Sequence, residues 1–207
     1  MKNGVNNEQL ILEAAEVEFL EKGFKNAATT AIAKRAGVTH AMLHYYYRTK
    51  EKLFKLVFQK KIQKVTMSFE MEIKDDDSLN LKEVIRNIVE KQFDFFAENP
   101  YLLKFIYNEI TSNEDNRNFV LEMMLPKINY MNDFIEKLII NEVAKGLIRP
   151  VKAADLLLNI ASLNAFTFMA LPVLKARMPD QTDEYYNNIL KERRESNVQF
   201  ILSALKV

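Results

Sequence analysis

Apolar residues recur along this chain at intervals of three and four, the spacing of one face of a helix, far more than they alternate. In residues 8–22, EQLILEAAEVEFLEK, Ile11, Ala14, Ala15 and Phe19 share such a face, and Gly23 follows where a helix stops. Residues 29–36, TTAIAKRA, predict a helix of about two turns with Ile32, Ala33 and Ala36 inward, ended by Gly37. The turn GVTH leads straight into a third helix. Thr39 is a good N-cap, and Val38 with Leu43 makes a hydrophobic staple across the helix start, which fixes the helix phase. Leu43 and Tyr47 then face inward, while His40, Ala41, His44 and Tyr45 share the outward side.

The same periodicity continues to the end of the chain. Residues 50–74 predict a long fourth helix closed by the polar loop DDDSLN. Residues 81–99 and 100–111 predict a fifth and a sixth, with Pro100 at a helix start. A seventh spans 114–145 and contains Pro126, which is expected to kink or divide it. After Gly146 and Pro150, residues 153–178 are apolar on most sides until Pro172, the mark of a helix buried by more than one neighbour. Residues 183–207 carry a stripe of Tyr186, Ile189, Leu190, Val198, Ile201, Leu202 and Leu205. These last two helices are the best candidates for pairing with a second copy.

Composition agrees with an all-α fold: four glycines and five prolines in 207 residues leave little material for the turns of an all-β chain. The absence of cysteine excludes disulfides, thiolate catalysis and Cys-based zinc sites, and suits a reducing cytoplasm. The first ten residues lack the apolar run of a signal peptide, and charge is expected to break every longer apolar stretch before about 18 residues. A soluble, cytoplasmic protein without a membrane partner is therefore expected.

Net charge is only +1, but it is unevenly placed. Residues 1–65 hold 12 Lys/Arg against 6 Asp/Glu, a balance of +6, and the remainder holds 17 against 22, a balance of −5. A basic N-terminal module on a mildly acidic body suits a protein that neutralises phosphates with one end. The second and third helices and their short glycine-containing turn form a helix-turn-helix, whose second helix can enter the DNA major groove. Its outward hydroxyls and imidazoles can bond base edges or phosphates, and Ala41 can sit close to a thymine methyl.

The stretch ILEAAEVEFLEKGF … IAKRAGVTHAMLHYYYRTKEKLF, residues 11–54, resembles the N-terminal DNA-binding domain of the TetR family of bacterial transcriptional regulators. The resemblance implies a three-helix helix-turn-helix DNA-binding domain at residues 1–50, followed by a helical effector-binding and dimerisation domain at 51–207. It further implies a homodimer on a double-stranded DNA operator, a small-molecule effector, and a four-helix bundle of the last two helices with their copies. Matched to the family pattern, Thr39 takes the place of a capping, phosphate-touching residue and Ala41 that of a close-approach glycine. His44 stands where tyrosine is usual, Tyr45 and Tyr46 match base- or phosphate-reaching positions, and Lys50 matches a phosphate contact. With His40 these form the expected DNA-binding set. Ala27 and Ala28 replace the usual Thr/Ser pair that caps the second helix, and Thr29 or Thr30 is the candidate to take over that role.

Rival chemistries find less support. His40 and His44, four apart on one face, match a metal-binding pair, but with no cysteine and no H-E-x-x-H pattern a closed site lacks further ligands, so neither metal nor cofactor is expected. Catalysis is not expected either: the sequence has no Gly-rich phosphate loop, no G-x-S-x-G elbow and no Walker motif. The alternative is a helical adaptor or ligand-binding protein that kept the fold and no longer reads DNA. For an effector, Phe93, Phe96, Phe105, Tyr107 and Met124 offer an apolar and aromatic lining, as do Met131, Phe134, Phe166 and Met169. Glu109, Asn129, Asn159 and Asn164 are candidates for the few polar groups that fix a ligand. This composition predicts an apolar or amphipathic effector.

Overall fold

The computed structural model describes residues 7–69 and 80–207, so the expected end of the fourth helix and the DDDSLN loop fall largely outside the described residues. Regular structure among the described residues is helical throughout. In order it comprises α1 (Asn7–Asn26), α2 (Thr29–Arg35), α3 (His40–Tyr47), α4 (Lys50–Phe69), α5 (Leu81–Glu98), α6 (Leu102–Ser112), α7 (Glu114–Ala144), α8 (Ala153–Arg177) and α9 (Asp183–Ser203). Pro126 lies inside α7, which continues past it rather than dividing. Two compact units result, one of Met1–Val65 with Lys104–Leu121, the other of Thr66–Leu103 with Glu122–Val207.

In the first unit α1 packs on α2 and α3. Ile11, Ala15, Ile32 and Leu43 are buried, as their spacing predicts, and Tyr47 donates its hydroxyl to the carbonyl of Glu8 at 2.9 Å, tying α3 to the start of α1. Burial pushes the Tyr47 hydroxyl up to about 12, with smaller contributions from Glu8 and Tyr46. Phe19, Phe54, Phe58 and Phe105 form an aromatic core, with Phe19 edge-on to Phe54 at 5.2 Å and Phe105 at 5.8 Å from both Phe54 and Phe58. Truncating any one of them should cost about 3–5 kcal/mol.

The break in α1 has a specific anchor. Gly23 adopts φ 72°, ψ 170°, which interrupts the helical hydrogen bonds. The Phe24 N–H then donates to Glu109 Oε1 of α6 at 2.7 Å, while Asn116 Nδ2 donates to Glu109 Oε2 at 2.8 Å. Glu109 is buried, and both its oxygens are satisfied, as a buried carboxylate requires. Its polarity serves the fold of this unit.

In the second unit α5 packs against α8 and α9, and α8 against α9. Ile85, Val89, Ile139, Leu156, Ile160, Val198 and Ile201 are among the residues of its buried core. Asn164, fully buried, donates to the Val89 carbonyl and to Gln92 Oε1, each at 3.0 Å, and accepts from Asn197 Nδ2 at 2.9 Å. A polar group in that position is tolerated because every partner is met. Arg194 of α9 forms two parallel bonds to Asp94 of α5, both at 2.8 Å, and these hold its guanidinium above its usual range.

Helix α8 corrects one expectation. No charged residue occurs from Leu156 to Leu174, so charge does not break this stretch before about 18 residues. The helix is long and apolar enough, by length and composition, to cross a membrane. The physical reason is that it has two apolar sides. Ala153, Leu156, Ile160 and Phe168 are buried within the unit, while Leu158, Phe166, Met169 and Val173 stand exposed along a second stripe.

Candidate nucleic-acid interface

The helix-turn-helix is built from short, local decisions. Helix α2 ends at Arg35, where Gly37 takes φ 68° and the Val38 N–H reaches back to the Ala33 carbonyl at 3.0 Å. A left-handed residue suits a helix end, and glycine adopts it without steric cost. Thr39 then caps α3, its hydroxyl accepting from the Met42 N–H at 3.2 Å. With Leu43 and Tyr47 buried, the rest of the helix is turned outward in the phase that the cap and staple predict.

The outward residues are polar, aromatic or small. Tyr45 is 77% exposed and Tyr46 39%, their rings edge-on at 5.4 Å, and Ala41 is exposed beside them. His40 and His44 meet edge-to-face at 4.6 Å. His40 Nε2 is hydrogen-bonded to the Thr29 hydroxyl at 3.0 Å, which joins the first residue of α2 to the first of α3. His44 Nδ1 lies 3.0 Å from the carbonyl oxygen of Arg48, whose own N–H donates to the His44 carbonyl. Each imidazole therefore has one nitrogen engaged. No group of three or more His, Cys, Asp or Glu residues suited to a metal occurs among the described residues.

One expected role comes out differently, and one expected contact residue already has partners within the protein. Neither Thr29 nor Thr30 caps α2: Ala28 occupies the N-cap position with no side-chain cap, and Thr29 is already helical. The Thr29 hydroxyl is directed to His40 instead, and Thr30 remains exposed. Lys50 stands at the start of α4 as expected, but its ammonium donates to the Lys25 carbonyl at 3.3 Å and lies 4.9 Å above the Phe24 ring. It thereby braces the end of α1.

The effector candidates are divided between the two units. Phe105 belongs to the aromatic core of the first unit and Tyr107 is exposed there. In the second, Phe93 and Phe96 pack on Phe168 at 4.9 and 6.1 Å, Met131 and Phe134 lie against the buried core, and Met124 is half-buried. Phe166 and Met169 point outward from α8. Of the polar candidates, Glu109 and Asn164 are consumed by internal bonds, and Asn129 and Asn159 are exposed. A cleft of about 320 Å³ lies beside Lys25, Lys50 and Glu109, and another of about 730 Å³ beside Arg149, Lys152, Asn159 and Phe200; neither is lined by any of the nine apolar candidates. The spacing in α8 does not single out Phe168, because that helix is apolar on most of its sides.

Comparison with known proteins agrees with this geometry. Residues 11–57 match the family described as bacterial regulatory proteins, tetR family. The chain is 28% identical over 169 residues to an uncharacterised HTH-type transcriptional regulator, YdgC, of Bacillus subtilis, covering 76% of this chain and 85% of that one. It is 25% identical over 139 residues to the fatty acid metabolism regulator protein of the same organism, covering 66% and 71%. Its fold is similar to that of the B. subtilis transcriptional regulator FadR, crystallised with stearoyl-CoA, with a TM-score of 0.65 at 19% identity over 95% of this chain and 98% of that one. Over residues 11–57, the stretch that holds its helix-turn-helix, the chain is thus similar to the tetR family of bacterial regulatory proteins, and over most of its length its fold is similar to that of solved transcriptional regulators.

Proposed function

We propose that this protein is a homodimeric transcriptional repressor that leaves its operator when a small apolar or amphipathic molecule binds. The observation that carries the reading is α3 itself: a capped helix, phased by Leu43 and Tyr47, presenting His40, Ala41, His44, Tyr45 and Tyr46 outward after a tight turn. Two such helices set about 34 to 36 Å apart by a dimer reach successive major grooves. In this reading residues 1–50 read DNA, with Thr39 and Lys50 near phosphate, and residues 51–207 bind effector and partner copy. The exposed stripe of α8, with α9, is the dimer surface, and the protein works in the cytoplasm.

The effector class rests on two supports. The second unit is rich in aromatic and methionine side chains, among them Phe93, Phe96, Met124, Met131 and Phe134. A relative is named for fatty acid metabolism, and a protein of similar fold was crystallised with stearoyl-CoA. Long-chain acyl compounds are therefore the first effectors to try. An effector lowers DNA affinity only by binding the DNA-incompetent arrangement better than the competent one. Fluorescence anisotropy tests the whole reading, using the DNA upstream of the protein's own gene against a shuffled control, at two salt concentrations, with and without an acyl-CoA. Preferential, salt-sensitive binding that the acyl-CoA reverses is expected. Sequence-indifferent binding, or none, would favour an adaptor that kept the fold, a reading to which the uncapped start of α2 at Ala28 lends weight.

A further inference from the structure

The ring of His44 is held in one tautomer by the backbone beside it. Its Nδ1 lies 3.0 Å from the carbonyl oxygen of Arg48. A carbonyl oxygen only accepts, so Nδ1 carries the hydrogen. In a neutral imidazole the other nitrogen, Nε2, then has a lone pair and no hydrogen. The carbonyl is in place because Arg48 ends α3 at φ 60°, ψ −55°, a conformation that residues with a side chain rarely adopt. Residues 44 and 48 are bonded twice, since the Arg48 N–H also donates to the His44 carbonyl at 3.0 Å. Among the described residues Nδ1 is the His44 ring nitrogen that has a partner, and the side chain is exposed on the outward face of α3.

An outward group that accepts and does not donate is selective. Ionised phosphate oxygens offer no hydrogen, so a nitrogen that only accepts gains nothing there. On the major-groove edges the donors are adenine N6 and cytosine N4, whereas guanine presents N7 and O6, and thymine O4, as acceptors. We propose that His44 selects adenine or cytosine at one position of each operator half-site, because Arg48 fixes its ring as a hydrogen-bond acceptor. The proposal rests on α3 being the helix that enters the groove. It assigns to His44 a specificity role distinct from Tyr45 and Tyr46, whose hydroxyls both donate and accept.

Selection of full-length protein on a random duplex library at pH 8, run in parallel for wild type, His44→Ala and His44→Arg, tests this. The wild type should enrich a half-site with adenine or cytosine at one position. That preference should fall by about fivefold or more in His44→Ala, as the loss of a base contact does, and move to guanine in His44→Arg, whose guanidinium only donates. A wild-type preference for guanine or thymine at the position that responds to His44, or no responding position in an otherwise clear consensus, overturns the proposal and leaves the DNA-reading function standing. No enriched sequence at all overturns that function, and this proposal with it. Nitrogen-15 shifts of the His44 ring in the free protein give a measurement independent of DNA: a protonated Nδ1 and an unprotonated Nε2 are expected, and the reverse assignment overturns the proposal.

Discussion

Outward on α3 stand His40, His44, Tyr45 and Tyr46, each with a hydrogen-bonding group, whereas outward on α8 stand Leu158, Phe166, Met169 and Val173, with none. Both faces are exposed, yet they call for different partners. Polar aromatic side chains lose little in water and gain from a partner that offers complementary donors, acceptors and stacking surface. An apolar stripe gains roughly 25 cal/mol for each Å² taken from water, whatever covers it, provided that the cover is apolar. The first surface suits a ligand that must be distinguished from its like; the second suits one that need only be present and matched in shape, as a second copy of the same stripe is.

The largest effect should come from charging the apolar face. Phe166→Glu combined with Val173→Glu is expected to give a monomer in sedimentation velocity and to lower operator affinity by about a hundredfold or more, since two linked reading heads lose their shared effective concentration. A double variant that stays dimeric would show that this stripe meets something else. Next in size, Asn164→Ala removes the bonds to Val89 O and Gln92 Oε1 and takes from the buried Asn197 amide its acceptor, all within the second unit. Its denaturant midpoint should fall by the equivalent of about 1–3 kcal/mol, with operator affinity of the folded protein unchanged. A simultaneous loss of DNA affinity would mean that this interior is not independent of the reading surface.

On the polar face the effects are smaller and more selective. Tyr45→Ala should weaken operator binding by about tenfold and leave non-specific binding and its salt slope as they were; equal losses on both DNAs would reassign Tyr45 to the backbone. Lys50→Ala divides two roles. If the ammonium leaves Phe24 and Lys25 to reach phosphate, the salt slope should drop by about one. If it stays, the slope is unchanged and the end of α1 loosens, which thermal melting would record. The smallest effect concerns Tyr47. Its hydroxyl is pushed up to about 12 from an unfolded value near 10, so its contribution is complete below pH 10 and is lost as pH rises toward 12. Tyr47→Phe should flatten that alkaline loss of stability; an unaltered profile would show that other groups govern it.

The first residues of α2, α4, α5, α7, α8 and α9, the Thr39 cap, the inward residues of α1, α2 and α3 and the all-helical class could be read from the sequence because each depends on neighbours within a few positions. By contrast, α1 runs past Gly23 to Asn26 and α6 begins at Leu102 rather than at Pro100. What could not be read depends on distant or backbone partners. Nothing local marks Ala28 as an uncapped start or Thr29 as a partner of His40, 11 residues on. Lys50 looks free in sequence, and only the fold brings Lys25 O beneath it. Glu109 and Asn164 stand out as polar residues among apolar ones, but the pattern does not say whether a ligand or the protein answers them. The apolar side chains of the second half share one ambiguity, since core, dimer face and ligand lining demand the same chemistry.

The bond from the Phe24 backbone to Glu109 spans 85 positions and ties what position 23 tolerates to what stands at position 109. A side chain at position 23 would have to adopt a positive φ with its first carbon 3.2 Å from the Glu109 carboxylate. Shortening Glu109 would free that space but strand the Phe24 amide. A change at either site is therefore expected to weaken the protein unless the other changes with it. A change selected in α6 for any other benefit is thus screened first at the end of α1.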